Sequence, residues 1–115
     1  MNIRDKELLE SIIANIDQLA STIARHQIDY AKFQSDVLYK DAVAMSVFQV
    51  TELVAKVSKE LRNQYQHLPW AMIVGMRNRF AHAYDVMSDE TIWLTATEDL
   101  LTLKGFCLEI LGRQW

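Results

Sequence analysis

Hydrophobic residues recur at steps of three and four along the first part of the chain. From Ile3 to about Ile28 they are Leu8, Leu9, Ile12, Ile13, Ile16, Leu19, Ile23 and Ile28. This spacing places them on one stripe of an amphipathic helix, because a helical turn takes about 3.6 residues. The pattern therefore predicts a long first helix over residues 3–28.

A second helix is predicted from Asp36 to about Asn63. The Asp36 side chain can accept a hydrogen bond from a first-turn amide that has no partner within the helix. The apolar residues that follow at helical spacing are Val37, Leu38, Ala42, Met45, Phe48, Leu53, Val57 and Leu61. The segment between the two helices, residues 29–35, is more polar but contains Tyr30 and Phe33, so a short turn of helix is possible there.

Two further helices are indicated by residues that favour helix starts. Pro69 has a fixed φ and no amide proton, which suits the first turn of a third helix. Its apolar pattern turns polar at Arg77 and Asn78, near the predicted C-terminal end. Ser88 is a suitable N-cap with acids in the turn that follows, and it predicts a fourth helix. The apolar residues of that helix are Ile92, Trp93, Leu94, Leu100, Leu103, Phe106 and Leu111.

The composition favours a helical fold. Half of the 115 residues are hydrophobic, yet the chain has only three glycines and one proline, too few for the frequent turns of an all-β fold. Short connections make neighbouring helices run antiparallel. We therefore predict an all-α fold, an up-and-down bundle of four main helices plus a possible short helix, in a single domain of residues 1–115.

Charge and cysteine content narrow the functional classes. The net charge of −3 argues against a protein that coats nucleic acid nonspecifically, which needs a broad basic surface, but it leaves room for a local basic pocket. Cys107, the single cysteine, lies among apolar residues and is expected to be a buried helix residue. The charged N-terminus and the lack of a long uncharged run predict a cytoplasmic protein without a membrane segment.

The end of the predicted third helix carries three candidate functional side chains, those of Arg77, His82 and Tyr84. An arginine fork matches phosphate oxygens, and a histidine with an ordinary pKa of ~6.5 can exchange a proton near neutral pH. Arg77 and His82 lie about 140° apart around a regular helix, so they would converge only if the helix frays near His82. A structural alternative stays open at this point, because a cation and a histidine near a helix C-terminus also favour the helix dipole.

The residues from Leu68 to Tyr84, followed by Thr91-Ile92-Trp93, resemble the signature of HepT-like proteins in the HEPN superfamily. That signature reads Pro-Trp, an apolar stretch ending in Gly-x-Arg-Asn, and then His-x-Tyr. It is filled here by Pro69-Trp70, Gly75-Met76-Arg77-Asn78 and His82-Ala83-Tyr84.

Weaker features extend the resemblance over most of the chain. They are a long first helix, the pair Asp41-Ala42 and the acid Glu52. Two positions depart from the family pattern: Val50-Thr51-Glu52-Leu53 stands where members often carry Gly-Glu-Ala, and Leu100-Leu101 stands where a Leu-Pro pair is frequent. These departures concern local packing or the partner surface more than the Arg/His/Tyr site.

The resemblance implies a metal-independent RNA endonuclease that needs no cofactor, the toxin of a type VII-like HEPN/MNT toxin–antitoxin pair. His82 would serve as general base or acid while a ribose 2′-hydroxyl attacks the adjacent phosphate. Arg77 would offset the charge that grows on the phosphorane oxygens, and Asn78 would help to position both groups. Arg79 would add a cationic contact to the RNA backbone, unless it is simply a solvated surface residue.

The resemblance also implies partners. Family members form homodimers that place two such motifs across one cleft. The usual neighbour is an MNT-type nucleotidyltransferase antitoxin, which would transfer AMP to Tyr84 and so block RNA by bulk and like charge. The structural alternative for Tyr84 is a ring packed under the third helix with its hydroxyl bonded to a carbonyl.

A second functional class remains open, a non-catalytic HEPN module that binds nucleotide, RNA or a nucleotidyltransferase partner. The acidic net charge favours this alternative, whereas the intact Arg/Asn/His set favours the enzyme. His26 and His67 have no second ligand at metal-binding spacing, so no metal site is predicted and both are expected at the surface or at helix ends. Trp70 and Trp93 have aliphatic neighbours and are expected in the core.

Overall fold

A computed structural model describes residues 1–114, which form helices joined by short connections. The helices are α1 (Ile3–Arg25), α2 (Tyr30–Ser35), α3 (Val37–Ala55), α4 (Lys59–Gln64), α5 (Trp70–His82), α6 (Asp89–Leu94) and α7 (Leu100–Leu111). A 3-10 turn, Tyr84–Val86, follows α5, and a π-helical turn, Thr95–Asp99, joins α6 to α7. The predicted all-α fold is confirmed over this range, which contains no strand. Trp115, the last residue of the predicted domain, lies outside the described residues.

Helix α3 lies at the centre of the fold. It packs against α1 on one side and α5 on the other, and α1 also packs against α7. The buried residues of α3 are Val43, Ala44, Val47, Val50, Thr51 and Val54. Because α3 is buried between two neighbours, it holds α5, the helix that carries Arg77 and His82, in a fixed place in the bundle.

Side-chain caps begin several helices where the sequence predicts them. The Asp36 carboxylate accepts a 3.0 Å hydrogen bond from the Leu38 amide at the start of α3. The Ser88 hydroxyl accepts a 3.1 Å bond from the Thr91 amide at the start of α6. Pro69 occupies the N-cap position of α5, directly before its first residue. These starts agree with the sequence analysis.

The predicted second helix is wrong in its length, because α3 ends at Ala55 and a separate helix, α4, begins at Lys59. Ser58 causes the break. Its hydroxyl accepts a 3.2 Å bond from the Leu61 amide, while its own amide and hydroxyl donate to the Asp5 carboxylate at 3.0 and 2.5 Å. Asp5 is only 3% exposed. These bonds join the first turn of α1 to the first turn of α4.

Two other helix boundaries differ from the prediction. Helix α1 ends at Arg25 rather than Ile28, because Gln27 adopts a left-handed φ of 52° and the Ile28 amide bonds back to the Ile23 carbonyl at 3.0 Å. The predicted fourth helix is interrupted by the π-helical turn. There the hydroxyls of Thr95 and Thr97 bond back to the carbonyls of Thr91 and Trp93.

Several predicted core residues are confirmed. The possible short helix is α2, whose Phe33 is fully buried and lies 5.1 Å from the Trp93 ring, centre to centre. Trp70 and Trp93 are partly buried against the core, and the Trp70 indole donates a 2.9 Å bond to the Tyr65 carbonyl. Cys107 is buried on α7.

Among residues 1–114, no helix has the length and apolar character needed to cross a membrane.

Candidate active site

Arg77 lies on the face of α5 that meets α3, and its guanidinium is held there by an acid. Its Nε donates a 2.8 Å hydrogen bond to Oε1 of Glu52, and both side chains are about one-third exposed, 33% and 32%. Within the described part of the chain, no hydrogen bond occupies Nη2 of Arg77. The ion pair therefore orients the guanidinium and leaves one of its ends open to a ligand.

Asn78 adds a second contact to this arginine. Its side-chain oxygen accepts a 3.2 Å hydrogen bond from Nη1 of Arg77, and the residue is exposed. Because the oxygen accepts, the amide nitrogen of Asn78 points its N–H groups elsewhere and can donate to an anion. Arg77, Asn78 and Glu52 thus form one connected polar group on the surface between α3 and α5.

His82 is the last residue of α5 and is exposed. The amide of Ala83 bonds to the Arg79 carbonyl at 2.8 Å, so the helix stays regular to its end. Arg77 and His82 therefore remain about 140° apart around the axis, and the fraying that would bring them together does not occur. No hydrogen bond or ion pair joins them in residues 1–114. One copy of the chain brings Arg77 to Asn78 but not to His82.

Arg79 lies on a different side of α5 from Arg77. It is exposed and lines a cleft of about 140 Å³ between α5 and α7, together with Asp99. Two residues correspond to roughly 200° around a helix, so Arg77 and Arg79 face nearly opposite directions. An RNA strand that contacts Arg77 would have to pass around the helix to reach Arg79.

Tyr84 lies in the turn after α5, partly buried against the core. Burial raises the pKa of its phenol above the ordinary 10.0, and the neighbouring negative charge of Asp41 on α3 raises that pKa further. The phenol is therefore protonated at neutral pH. The ring packs against the core, as in the structural alternative, and the polar neighbour of the hydroxyl is the Asp41 carboxylate.

Tyr84 and Asp41 also line a groove between α3 and α5. The groove has a volume of about 550 Å³, and its other lining residues are apolar: Ala44, Met45, Phe48, Phe80 and Ala81. Ala81 directly precedes His82 in the chain, so the groove opens beside the candidate active site.

Comparison with known proteins decides the family. The model of the family described as Ribonuclease HepT-like matches residues 6–110. This chain belongs to the HepT-like ribonuclease family. Membership confirms the resemblance to HepT-like proteins of the HEPN superfamily that the residues 68–84 suggested.

Two relatives of this HepT-like chain carry ribonuclease names. The protein named "Putative RNase MJ0125" of Methanocaldococcus jannaschii is 28% identical over 99 residues, which cover 86% of this chain and 84% of the relative. The protein named "Probable ribonuclease HepT" of Thermococcus cleftensis is 30% identical over 74 residues, which cover 61% of this chain and 67% of the relative. No solved structure gives a significant match.

Two acids contact the predicted site residues of the HepT-like chain, and the sequence analysis assigned neither of them a role. Glu52 pairs with Arg77, and Asp41 lines the same groove as Tyr84 and raises the pKa of its phenol. Both lie on α3, far from α5 in sequence, so spacing could not pair them. The only signal was their presence among the weaker features of the family resemblance.

The remaining histidines lie apart from the site. His67 is exposed and its Nε2 lies 2.8 Å from Oε2 of Glu109, while His26 is exposed just after α1. Both agree with the predicted surface positions. In the described range, no group of three or more His, Cys, Asp or Glu side chains is placed to hold a metal ion.

Proposed function

We propose that this HepT-like chain is a metal-independent endoribonuclease. The observation that carries the proposal is the position of the Arg77 guanidinium, which Glu52 on α3 fixes by a hydrogen bond. Arg77 lies on α5, and the last residue of α5 is the exposed His82. Membership of a ribonuclease family and the names of the relatives support the same activity.

The proposed reaction cuts RNA by internal transfer. The ribose 2′-oxygen attacks the adjacent phosphorus, the bond from phosphorus to the 5′-oxygen breaks, and the products carry a 2′,3′-cyclic phosphate and a 5′-hydroxyl. A base accepts the 2′-hydroxyl proton, and an acid donates a proton to the leaving 5′-oxygen. His82 takes one of these proton-transfer roles. Arg77 stabilises the added negative charge of the transition state, and Asn78 positions the phosphate or Arg77.

The active site is proposed to form between two copies of the chain. Within one copy, the regular end of α5 separates Arg77 from His82 around the helix axis. A homodimer that places two motifs across one cleft would supply a second histidine, so that one acts as base and the other as acid. Sedimentation that detects only monomer at micromolar concentration would contradict this composite site.

A toxin role with a nucleotidyltransferase partner follows from the same proposal. Tyr84 lies two residues beyond His82, is only partly buried and lines the open groove, which gives a transferase access to this residue. An AMP group on that oxygen adds bulk and negative charge beside His82, both of which oppose RNA binding. Arg79 is proposed to contact RNA only where the strand passes onto the α7 side of the helix.

One observation favours a different function, binding without cleavage. Glu52 places a carboxylate within hydrogen-bond distance of Arg77, and the net charge of the chain is −3; both weaken the attraction of the site for phosphate. In that case the chain would be a HEPN module that binds nucleotide, RNA or a nucleotidyltransferase partner.

RNA cleavage in excess EDTA tests the nuclease. We expect the wild type to release fragments with 2′,3′-cyclic phosphate ends and His82→Ala to lose this activity by about 100-fold or more, as for loss of a general acid or base. His67→Ala is the matched control, because it removes an exposed histidine far from the site in the fold. Equal activity of wild type and His82→Ala would reject the role of His82, and an inert dimeric wild type would favour the binding module.

A further inference from the structure

The groove between α3 and α5 has the make-up of a binding site for a flat, mostly apolar ring. Its walls include the aromatic side chains of Phe48, Phe80 and Tyr84, and polar groups come from Asp41 and Tyr84. Sites for small organic groups are typically apolar clefts with a few placed polar atoms. At about 550 Å³ the groove exceeds the size of one nucleobase.

The charges around the groove select against a phosphate as its occupant. Asp41 contributes a carboxylate, and the nearby cation, Lys40, is already paired with Asp89 at 3.1 Å. An anion placed there would meet the Asp41 charge, and the Lys40 charge is already offset by Asp89. An uncharged ring with N–H donors on its edge fits the same surroundings.

The groove adjoins the candidate active site through the backbone of α5. Ala81 lines the groove and is the immediate neighbour of His82, so their Cα atoms are ~3.8 Å apart. A nucleotide with its phosphate beside His82 therefore has its base within reach of the groove. This continuity points to the RNA substrate as the source of the ring.

The hydrogen-bonding pattern of Asp41 selects among the bases. An ionised carboxylate only accepts, and it has two oxygens side by side. Guanine presents two adjacent donors, N1–H and the N2 amino group, on its Watson–Crick edge. Adenine and cytosine present one donor beside an acceptor, and uracil presents one donor between two acceptors. Paired contacts to a carboxylate therefore favour guanine.

We propose that the groove between α3 and α5 binds a guanine base of the RNA next to the cleaved phosphate and that Asp41 determines this specificity. The inference rests on the proposed ribonuclease function. The Asp41 carboxylate can accept from both guanine donors and still accept from the Tyr84 hydroxyl, because each carboxylate oxygen has two lone pairs. Phe48, Phe80 and Tyr84 supply the aromatic surroundings of the bound base.

Binding of guanosine 3′-monophosphate to the intact protein tests the site independently of cleavage. We expect titration calorimetry to give a dissociation constant at least ~10-fold lower than for the adenosine, cytidine and uridine 3′-monophosphates, as a paired hydrogen-bond contact discriminates bases. Asp41→Asn should shift the preference to the adenosine nucleotide, because an amide offers the donor and acceptor that adenine requires. Asp85→Asn, an equal charge change outside the groove, should leave the preference unchanged.

A substitution at the edge of the groove tests whether the guanosine nucleotide binds there. Met45 lines the groove but is 57% exposed, so Met45→Trp fills the space without disturbing the core, and it should weaken binding of the guanosine nucleotide at least ~10-fold. Equal affinities for the four nucleotides would overturn the proposal. So would a Met45→Trp protein that binds the guanosine nucleotide normally but self-associates less, since a second copy would then cover the groove.

The two proposals fail in different ways. Cleavage of RNA with no selectivity for the guanosine nucleotide would keep the nuclease and overturn the guanine site. Selective binding of that nucleotide by a wild type that cuts no RNA would support the guanine site and overturn the nuclease.

Discussion

Arg77 on α5 donates a 2.8 Å hydrogen bond from Nε to the carboxylate of Glu52 on α3. The contact joins two helices that pack along the centre of the bundle. It restricts the rotamers of a long side chain that is about one-third exposed. The contact also places a negative charge beside the cation proposed to stabilise the transition state. Glu52 is therefore expected to fix the position of Arg77 at some cost in electrostatic attraction for RNA.

Glu52→Ala should lower kcat for RNA cleavage by about 10-fold, because the guanidinium loses its fixed position. The free energy of unfolding should fall by about 1 kcal/mol or less, since the pair is partly exposed. Glu52→Gln keeps an oxygen that accepts from Nε and should recover most of the activity. Cleavage kinetics and urea unfolding of the three proteins provide the measurements.

Glu7→Ala, which removes an exposed acid from α1, is the control for the change in net charge. If Glu52→Gln were as inactive as Glu52→Ala, the hydrogen bond from Arg77 Nε to this side chain would not explain the loss of RNA cleavage. A much larger loss of stability would mean that the fold, rather than the position of Arg77, explains the loss of activity.

Tyr84 should be the residue that accepts AMP when the chain is incubated with the proposed nucleotidyltransferase partner and ATP. Mass spectrometry should find one added AMP on the wild type and none on Tyr84→Phe. Tyr65→Phe removes a hydroxyl from another partly buried tyrosine and should leave the modification intact. Modification of Tyr84→Phe to the wild-type extent would place the acceptor elsewhere. The modified wild type should lose RNA cleavage, because the adduct lies beside His82.

Cys107 should make the stability of the protein depend on pH in the alkaline range. Burial raises the pKa of its thiol from 9.0 to about 12. Above pH ~9 the unfolded thiol ionises while the folded thiol does not, so the stabilising contribution is present below pH 9 and is lost as pH rises toward 12. At ~1.4 kcal/mol for each pKa unit, the full loss is on the order of 4 kcal/mol.

The measurement is urea unfolding of wild type and Cys107→Ala between pH 8 and pH 11. The wild type should lose more stability over this range than the variant, which has no thiol to ionise. Parallel losses in the two proteins would show that the thiol is not the group responsible.

Phe33→Ala should destabilise the fold strongly. Phe33 is fully buried and its ring contacts Trp93, so the substitution leaves a cavity where α2 meets α6. Substitutions of this kind typically cost ~3–5 kcal/mol. Leu38→Ala is the matched control, because Leu38 is close in sequence but 71% exposed, and it should change stability by ~0.5 kcal/mol or less. A loss below about 1 kcal/mol for Phe33→Ala would contradict the described packing of α2.

Helix starts were predictable where a single side chain caps the helix. Asp36 and Ser88 could be identified because a short polar residue before an apolar run bonds a free amide of the first turn. Two aromatic residues in the polar segment 29–35 indicated only a possible short turn of helix, which the structure shows as α2. These features depend on residues that are close together in sequence, and a sequence pattern can predict structure that is determined locally in this way.

The break between α3 and α4 was not predictable from hydrophobic spacing. Val54, Val57 and Leu61 are all buried and continue the steps of three and four across the break. What ends α3 is the bonding of Ser58 to Asp5 on another helix. The π-helical turn Thr95–Asp99 escaped prediction for a similar reason, because Ile92, Ala96 and Leu100 keep helical spacing through it.

The sequence could propose the residues of the candidate site but not their arrangement. The spacing of Arg77, Asn78, His82 and Tyr84 identified the family, and the family model confirms it. The partners of Arg77 and Tyr84 come from α3, and only the packing of α3 against α5 brings them close. The separation of Arg77 from His82 depends on whether α5 stays regular to its end, which spacing alone did not determine.

The contact between Asp5 and Ser58 has a consequence for the stability of the start of α5. Helix α4 has only six residues and is too short to persist alone, so it depends on packing and on the bonds from Ser58 to Asp5. Helix α4 and the residue after it then hold the start of α5: the Arg62 guanidinium lies 5.8 Å from the centre of the Trp70 ring, and the Tyr65 carbonyl accepts from the Trp70 indole. A chain that starts beyond Asp5 would therefore retain Arg77, Asn78 and His82 yet lose the bonds to Ser58 that support α4 and, through it, the first turn of α5.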